Sequence, residues 1–243
     1  MPSISTARRR WLRFTTRTIL ILMVLVAIPL AWKMNRVRAQ RKAVEAIEAA
    51  GGGVQYDYQN AALQQHVEPV LPAPARWIEV FGIDFFADVT GAWLGDSGEG
   101  ADCLFGVLPD LPKVTRLNVW AGVSDVGIGH IARLQDLEGL IVVGSFSDSG
   151  VSELGKLAKL HQLTLSSEYV TGIGFAEIAM HCKLEYLNVT SSQLTDEAIG
   201  TLRQLTKLKT LEIGGSRISY AGVDRLQDAL PGCRVRAFNF VDR

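Results

Sequence analysis

The feature that most limits what this chain can fold into is a self-similarity in its C-terminal half. Leu117, Leu140, Leu163, Leu187 and Leu211 fall 23, 23, 24 and 24 residues apart. Three residues before each stands Val114, Leu137, Leu160, Leu184 or Leu208, and two after each stands Val119, Val142, Leu165, Val189 or Ile213. A fourth apolar column, Val123, Phe146, Val170, Leu194 and Ile218, comes four residues later in the first two units and five later in the last three. That difference accounts for the change of period. Ile128, Val151, Phe175, Ile199 and Val223 follow five residues on, then Ile131, Leu154, Ile178, Leu202 and Leu226 three beyond those. A fixed period in the twenties is the mark of a stacked array.

The spacing within a unit dictates its local structure. Alternation around the central Leu predicts a short strand with its apolar face inward, and the later positions, three apart, predict one face of a short helix. Between them Ser124, Ser147, Thr171, Thr195 and Ser219 form a hydroxyl column, the residue type that caps a helix N-terminus. Asp125, Asp148 and Asp196 follow it in three units, where negative charge suits the helix dipole. Gly127, Gly150, Gly174, Ala198 and Gly222 form a column of small residues, expected where the helix lies close against its neighbour. No unit can bury six apolar side chains alone, so the units must stack.

The L-x-x-L-x-L pattern, with Val and Ile equivalents, resembles the leucine-rich repeat over about residues 111–235. The segment KLEYLNVTSSQLTDEAIGTLRQL (Lys183–Leu205) is similar to repeats ending in T-D-x-G-L-x-x-L in bacterial members, and LPGCRV (Leu230–Val235) to the last, incomplete repeat of such arrays. The basic N-terminus, AVEAIEAAGGGVQYDY and IDFFADV resemble membrane-anchored bacterial members more loosely. One departure matters: the Asn that forms a buried ladder in many such repeats is Ser192 or Ser216 here, and Glu168 in the third unit. The resemblance implies an α/β, arc-shaped solenoid with parallel strands on the concave side and short helices on the convex side. It implies no particular ligand, because one fold hosts many functions.

The formal net charge of zero hides a split between the two ends of the chain. Residues 1–42 hold ten basic side chains and no acidic one, leaving fifteen basic against twenty-five acidic groups in the remainder. An acidic body is a poor match for a phosphate backbone, so no nucleic acid is expected as a partner. Within the basic end, Thr18 to Trp32 is uncharged, about 22 Å of helix, and Phe14 to Met34 gives about 31 Å, enough for the hydrocarbon core. Trp11 and Trp32 stand near its edges, as interfacial aromatics do. A cleaved signal peptide needs a small-residue site, and Pro29-Leu30-Ala31 before Trp32 is a poor one. A buried core helix would not be bracketed by ten cations and no anion. The expectation is an uncleaved signal anchor, a single transmembrane helix meeting the lipid bilayer through residues 14–34. Five basic residues lie on each side; the usual arrangement of such anchors exports the repeats, and the downstream cluster argues the other way.

Three regions follow: a basic anchor (1–42), a juxtamembrane helix, short strand and N-terminal cap (43–110), and about five repeats of 23–24 residues with a C-terminal cap (111–243). In the middle region VRAQRKAVEAIEAA reads as a helix stopped by Gly51-Gly52-Gly53. Val54–Tyr58 alternates like a strand, Pro69, Pro72 and Pro74 mark an irregular stretch, and Ile83–Leu94 returns to apolar alternation.

No chemical constellation emerges. Cys103, Cys182 and Cys233 are too scattered for a disulfide framework or metal knuckle. His66, His130, His161 and His181 form no metal-ligand pair, and His181 occupies a position held by Leu134, Leu157 and Leu205 in other units. Gly127-x-Gly129 and Gly172-x-Gly174 are fragments of phosphate loops without the rest of the motif. Asp84 and Asp88 read as a solvated edge of the cap as readily as paired carboxylates. Asn188-Val189-Thr190 matches a glycosylation acceptor, but inside a strand. Catalytic residues, cofactors and metals are therefore expected to be absent. The alternative is an enzyme or enzyme subunit with its site in residues 54–110, drawn from His66, Asp84, Asp88, Asp96, Glu99, Asp102 and Cys103.

What remains is a surface. Residues flanking the buried strand columns face the concavity, and the expected partner-binding set is Arg116, Asn118, Trp120, Ile141, Val143, Gln162, Thr164, Tyr186, Asn188 and Glu212. Trp120, Ile141, Val143 and Tyr186 are apolar or aromatic at outward positions, the mark of a binding patch for a protein or peptide ligand unless the N-terminal segment covers them. Five strands give a platform on the order of 320 Å², against ~800 Å² per partner in a standard interface. The function expected is a membrane-anchored, non-catalytic binding scaffold.

Overall fold

Each unit's alternating columns build one strand, and the later columns one helix. The computed structural model describes residues 16–65, 67–95, 102–191 and 193–238. In chain order the elements are α1 (Thr16–Ala49), β1 (Gly53–Tyr56), α2 (Asp57–Gln65), α3 (Ala75–Phe81), β2 (Val89–Leu94) and α4 (Asp102–Phe105). The repeats follow as β3 (Arg116–Val123), α5 (Asp125–Ile131), β4 (Gly139–Gly144), α6 (Asp148–Glu153), β5 (Gln162–Ser166) and α7 (Phe175–His181). The array closes with β6 (Tyr186–Thr190), α8 (Ile199–Leu202), β7 (Thr210–Gly214), α9 (Tyr220–Ala229) and β8 (Arg234–Phe238). The strands form one sheet in the order β1 to β8. Among the described residues only the β1–β2 pairing is antiparallel; every later pair is parallel.

The five central leucines share one register row and are at most 1% exposed. The row continues to Ala92 on β2 and Val235 on β8, so the array outruns the five units at both ends. Val89, Ala92 and Leu94 fill the strand columns of an additional N-terminal unit within residues 43–110, and Phe105, Leu108 and Leu111 complete its core. Ala in place of Leu, 25 residues before Leu117, broke the pattern there. The apolar side chains lie between the sheet and the helices, each buried Leu stabilising by roughly 1.5–3 kcal/mol. The fold is a leucine-rich repeat solenoid.

The turns are held by buried serines. Ser167 Oγ donates to the Phe146 carbonyl at 2.6 Å and Ser191 Oγ to the Val170 carbonyl at 2.8 Å, each reaching back one unit. Of the positions that hold the ladder Asn in many such repeats, Ser216 is buried, Glu168 is exposed and Ser192 lies outside the described residues. In the third and fourth units the ladder stands one residue earlier than the resemblance suggested. Strand alternation carries the inward side from Leu163 and Leu165 to Ser167, and from Leu187 and Val189 to Ser191.

The hydroxyl column caps helical turns at Ser124, Ser147, Thr195 and Ser219, whose side chains accept from Val126, Ser149, Glu197 and Gly222 N–H. Thr171 departs, because α7 begins only after Gly174. The following aspartates do more than face the helix dipole. Asp125 accepts from Ser147 N–H and Oγ and from Gly150 N–H of the next unit. Asp148 accepts from Thr171 N–H and Oγ1 and from Gly172 and Gly174 N–H. Asp196 accepts from Ser219 N–H and Oγ. Each carboxylate thus bonds its own unit to the next.

Two further expectations need correction. The inward position at the end of α7 belongs to Cys182, 3% exposed, and His181 is exposed. Burial pushes the Cys182 thiol up to about 11. The other concerns α1, which runs unbroken from Thr16 to Ala49, so the boundary placed at residue 42 falls inside one element. The helix as a whole is long and apolar enough to cross a membrane, and its apolar stretch from Leu20 to Lys33 is exposed. Val37, Ala43, Val44 and Ile47 of its second half are buried. Gly51, at φ +75, then turns the chain, as a helix-stopping glycine should.

Candidate functional site: the open sheet face

The outward side of the sheet carries the expected residues in ordered files. Asn118, Ile141, Thr164, Asn188 and Glu212 pair successively in register, and Arg116, Gly139, Gln162, Tyr186 and Thr210 form the adjacent file. The third file begins at Val143, which pairs with Ser166, then Thr190 and Gly214. Trp120 stands outside it. β3 bulges after Val119, and Val123 next pairs with Gly144. A bulge re-aims a side chain, and the Trp120 indole is 56% exposed.

β2 and β8 extend the face beyond the expected set. Trp93, 47% exposed, pairs in register with Asn118, and Arg236 with Glu212. Seven parallel strands span roughly 29 Å, so the platform is on the order of 480 Å². Trp93 was legible only as part of an alternating stretch, because nothing in GAWL placed it on the repeat sheet. A β-carbon on Gly53 would stand 2.3 Å from the Trp93 ring, so the indole lies directly over the β1 backbone. Beside it Val54, Gln59, Ala62, Val67 and Pro69 line a recess of about 400 Å³. The N-terminal cap therefore walls the Trp93 end and leaves Trp120 uncovered.

The other end of the face is polar and internally bonded. Tyr186 Oη donates to Glu212 Oε2 at 2.7 Å, Asn188 Nδ2 to the same oxygen at 3.1 Å, and Arg236 Nη1 reaches Oε1 at 3.3 Å. Burial, with donation to Glu212, raises the Tyr186 phenol against a lowering contact from Asn188. Tyr186 is half-buried with its hydroxyl committed, which leaves the aromatic character of the face to Trp93 and Trp120.

The carboxylates of the N-terminal cap are not a solvated edge. Asp84, whose side chain is 7% exposed, accepts from Gln40 Nε2 at 3.0 Å and Tyr56 Oη at 3.1 Å, with Arg41 Nε at 3.7 Å. Burial first, then the Asp84 charge, raises the Tyr56 phenol. Asp88 binds Arg36 at 3.1 Å and Lys113 at 2.7 Å. Both hold α1 to the cap. His66, Asp96 and Glu99 lie outside the described residues, and the side chains of Asp102 and Cys103 are not described. Among the described residues no three His, Cys, Asp or Glu side chains converge as a metal site.

No protein-family model matches the sequence, and no curated protein matches it. Parts of the chain are similar to solved structures. A leucine-rich repeat protein of Leptospira interrogans is 21% identical with a TM-score of 0.41, over 54% of this chain and 33% of that one. An internalin from Listeria monocytogenes is 17% identical with a TM-score of 0.27, over 56% and 57% of the two chains. A Bacteroides fragilis protein is 18% identical with a TM-score of 0.33, over 57% and 50%. This chain spans a third to just over half of those structures. Its fold stands on its own strand register and repeat spacing.

Proposed function

We propose that this chain is a membrane-anchored, non-catalytic scaffold whose open sheet face holds an extended peptide segment of a protein partner. The observation that carries the reading is the pair of exposed indoles on adjacent strands, Trp93 and Trp120, beside the half-buried Ile141 and Val143. Large amphipathic aromatics dominate interface energetics. The recess beside Trp93 supplies a concave terminus for an apolar side chain, and the platform area fits a peptide better than a globular surface. The enzyme alternative has less support, because Asp84 and Asp88 are engaged by Gln40, Tyr56, Arg36 and Lys113. The apolar half of α1 is the anchor, with the repeats exported.

A photo-crosslinker at exposed position 162 of the full-length protein in membranes would capture the partner, whose affinity is then measured. Trp120→Ala should weaken it at least tenfold, ~1.4 kcal/mol, with little change in melting temperature. A lowered melting temperature with unaltered affinity would make Trp120 a packing residue and remove this reading.

A further inference from the structure

We propose that the aromatic cluster at residues 77–86 is a foot resting in the headgroup layer of the bilayer that α1 crosses, an inference that rests on the anchor reading above. Helix α1 changes character at one place. Its residues from Leu20 to Lys33 are all exposed, and burial begins at Val37. If the exposed half is in lipid, the domain surface around Lys33 abuts the headgroups.

That surface is aromatic. The Lys33 ammonium lies 4.6 Å from the centroid of the Phe85 ring. Phe85 packs against Phe81 at 5.3 Å, and Phe81 stacks on Trp77 at 5.8 Å. A continuous row of rings thus leads from the point where α1 leaves the domain to the short helix α3. Trp77, Val80 and Phe81 are 46%, 73% and 40% exposed, a costly arrangement in water. Trp at the membrane–water boundary is favourable, because the ring is apolar and its N–H finds a polar partner. The Arg76 guanidinium lies 5.9 Å from the Trp77 ring, and Lys33 and Lys113 add cations on the same side of the cap. Cations near the surface are drawn to anionic headgroups. No flexible linker intervenes, since α1 is unbroken and Arg36 binds Asp88 within one turn of Lys33.

The test uses the full chain, one copy per nanodisc so that no second copy can cover the cluster, with lipids brominated near the glycerol end. Tryptophan emission is compared with that in unbrominated discs. Trp77→Phe, which keeps the ring stack, should remove part of the quenched emission, as should Trp32→Phe. Trp120→Phe should remove only unquenched emission. A quenched component unchanged by Trp77→Phe but reduced by Trp32→Phe overturns the foot and leaves the anchor standing. Absence of any quenching, with release of the protein by alkaline carbonate, removes anchor and foot together.

Discussion

A β-carbon built on Gly222 would stand 2.4 Å from Oδ1 of Asp196, a residue of the preceding unit. The same exclusion recurs at Gly150, 2.5 Å from Asp125 Oδ1, and at Gly174, 2.5 Å from the Asp148 carbonyl. Where a unit has glycine in place of this aspartate, at Gly172, the next unit carries Ala198 instead. At Gly150 and Gly222 the column is small because a carboxylate of the preceding unit occupies the space, and at Gly174 because that unit's backbone does. Gly222→Ala should therefore destabilise by about 1–3 kcal/mol. In an Asp196→Ala background the same change should cost measurably less. A urea-denaturation double-mutant cycle reads the coupling, and strict additivity would separate the two columns.

The aspartate staples make stability pH-dependent. Burial pushes the Asp148 carboxyl up, but donation from the Thr171 hydroxyl and from Gly174, Thr171 and Gly172 N–H outweighs it, and the net shift is downward. Asp196 is lowered chiefly by the Ser219 hydroxyl and N–H. A depressed folded-state pKa contributes stability present above the ordinary aspartate value of about 3.9 and lost as pH falls through the folded-state value. Melting temperatures of the wild type and Asp148→Asn, measured from neutral pH downward, should converge in acid. Parallel curves would mean that the carboxylate charge contributes nothing.

Core and cap substitutions should rank clearly. Leu187 is fully buried in the central row, with a unit on either side, and Leu187→Ala should cost about 2–5 kcal/mol. Thr195 accepts from Glu197 N–H at a long 3.4 Å. It follows the unit that has Gly172 in place of the aspartate. Thr195→Ala should cost at most about 1 kcal/mol. The reverse order in chemical denaturation would contradict the register.

The buried half of α1 should matter for folding. A chain beginning at residue 34 keeps Arg36, Val37, Gln40 and Arg41, whereas one beginning at 43 leaves Asp84 buried without Gln40 and Arg41. Removing partners from a buried charge is destabilising. The longer fragment should be soluble and fold cooperatively, and the shorter one should melt at lower temperature by circular dichroism. Equal melting temperatures would place the boundary back at residue 42.

The repeats were legible because six apolar columns recur at a nearly constant spacing, and such columns have one physical reading. The N-terminal unit was not, because Ala92 hides the central leucine position and the unit is longer. Asp84 resembled surface charge in sequence, since its partners Gln40 and Tyr56 lie 44 and 28 residues away. The apolar part of the open face was visible in Trp120, Ile141 and Val143. Its boundary at Trp93 was not, since that depends on how β2 joins the sheet. Nor did Tyr186 announce its bond to Glu212, which arises only when adjacent strands are set in register.

The unbroken course of α1 carries a mechanical consequence. A platform joined to its mount by a loop can swing, so its direction of approach averages out. Here one helix runs from the exposed Trp32 to Ile47, which is seated in the core, with no loop between them. Were the exposed half held in a bilayer, as proposed above, a roll or tilt of that half would be passed to the sheet through the helix rather than lost in a loop. With the anchor in a bilayer, Trp93 and Trp120 would meet partners from one fixed bearing.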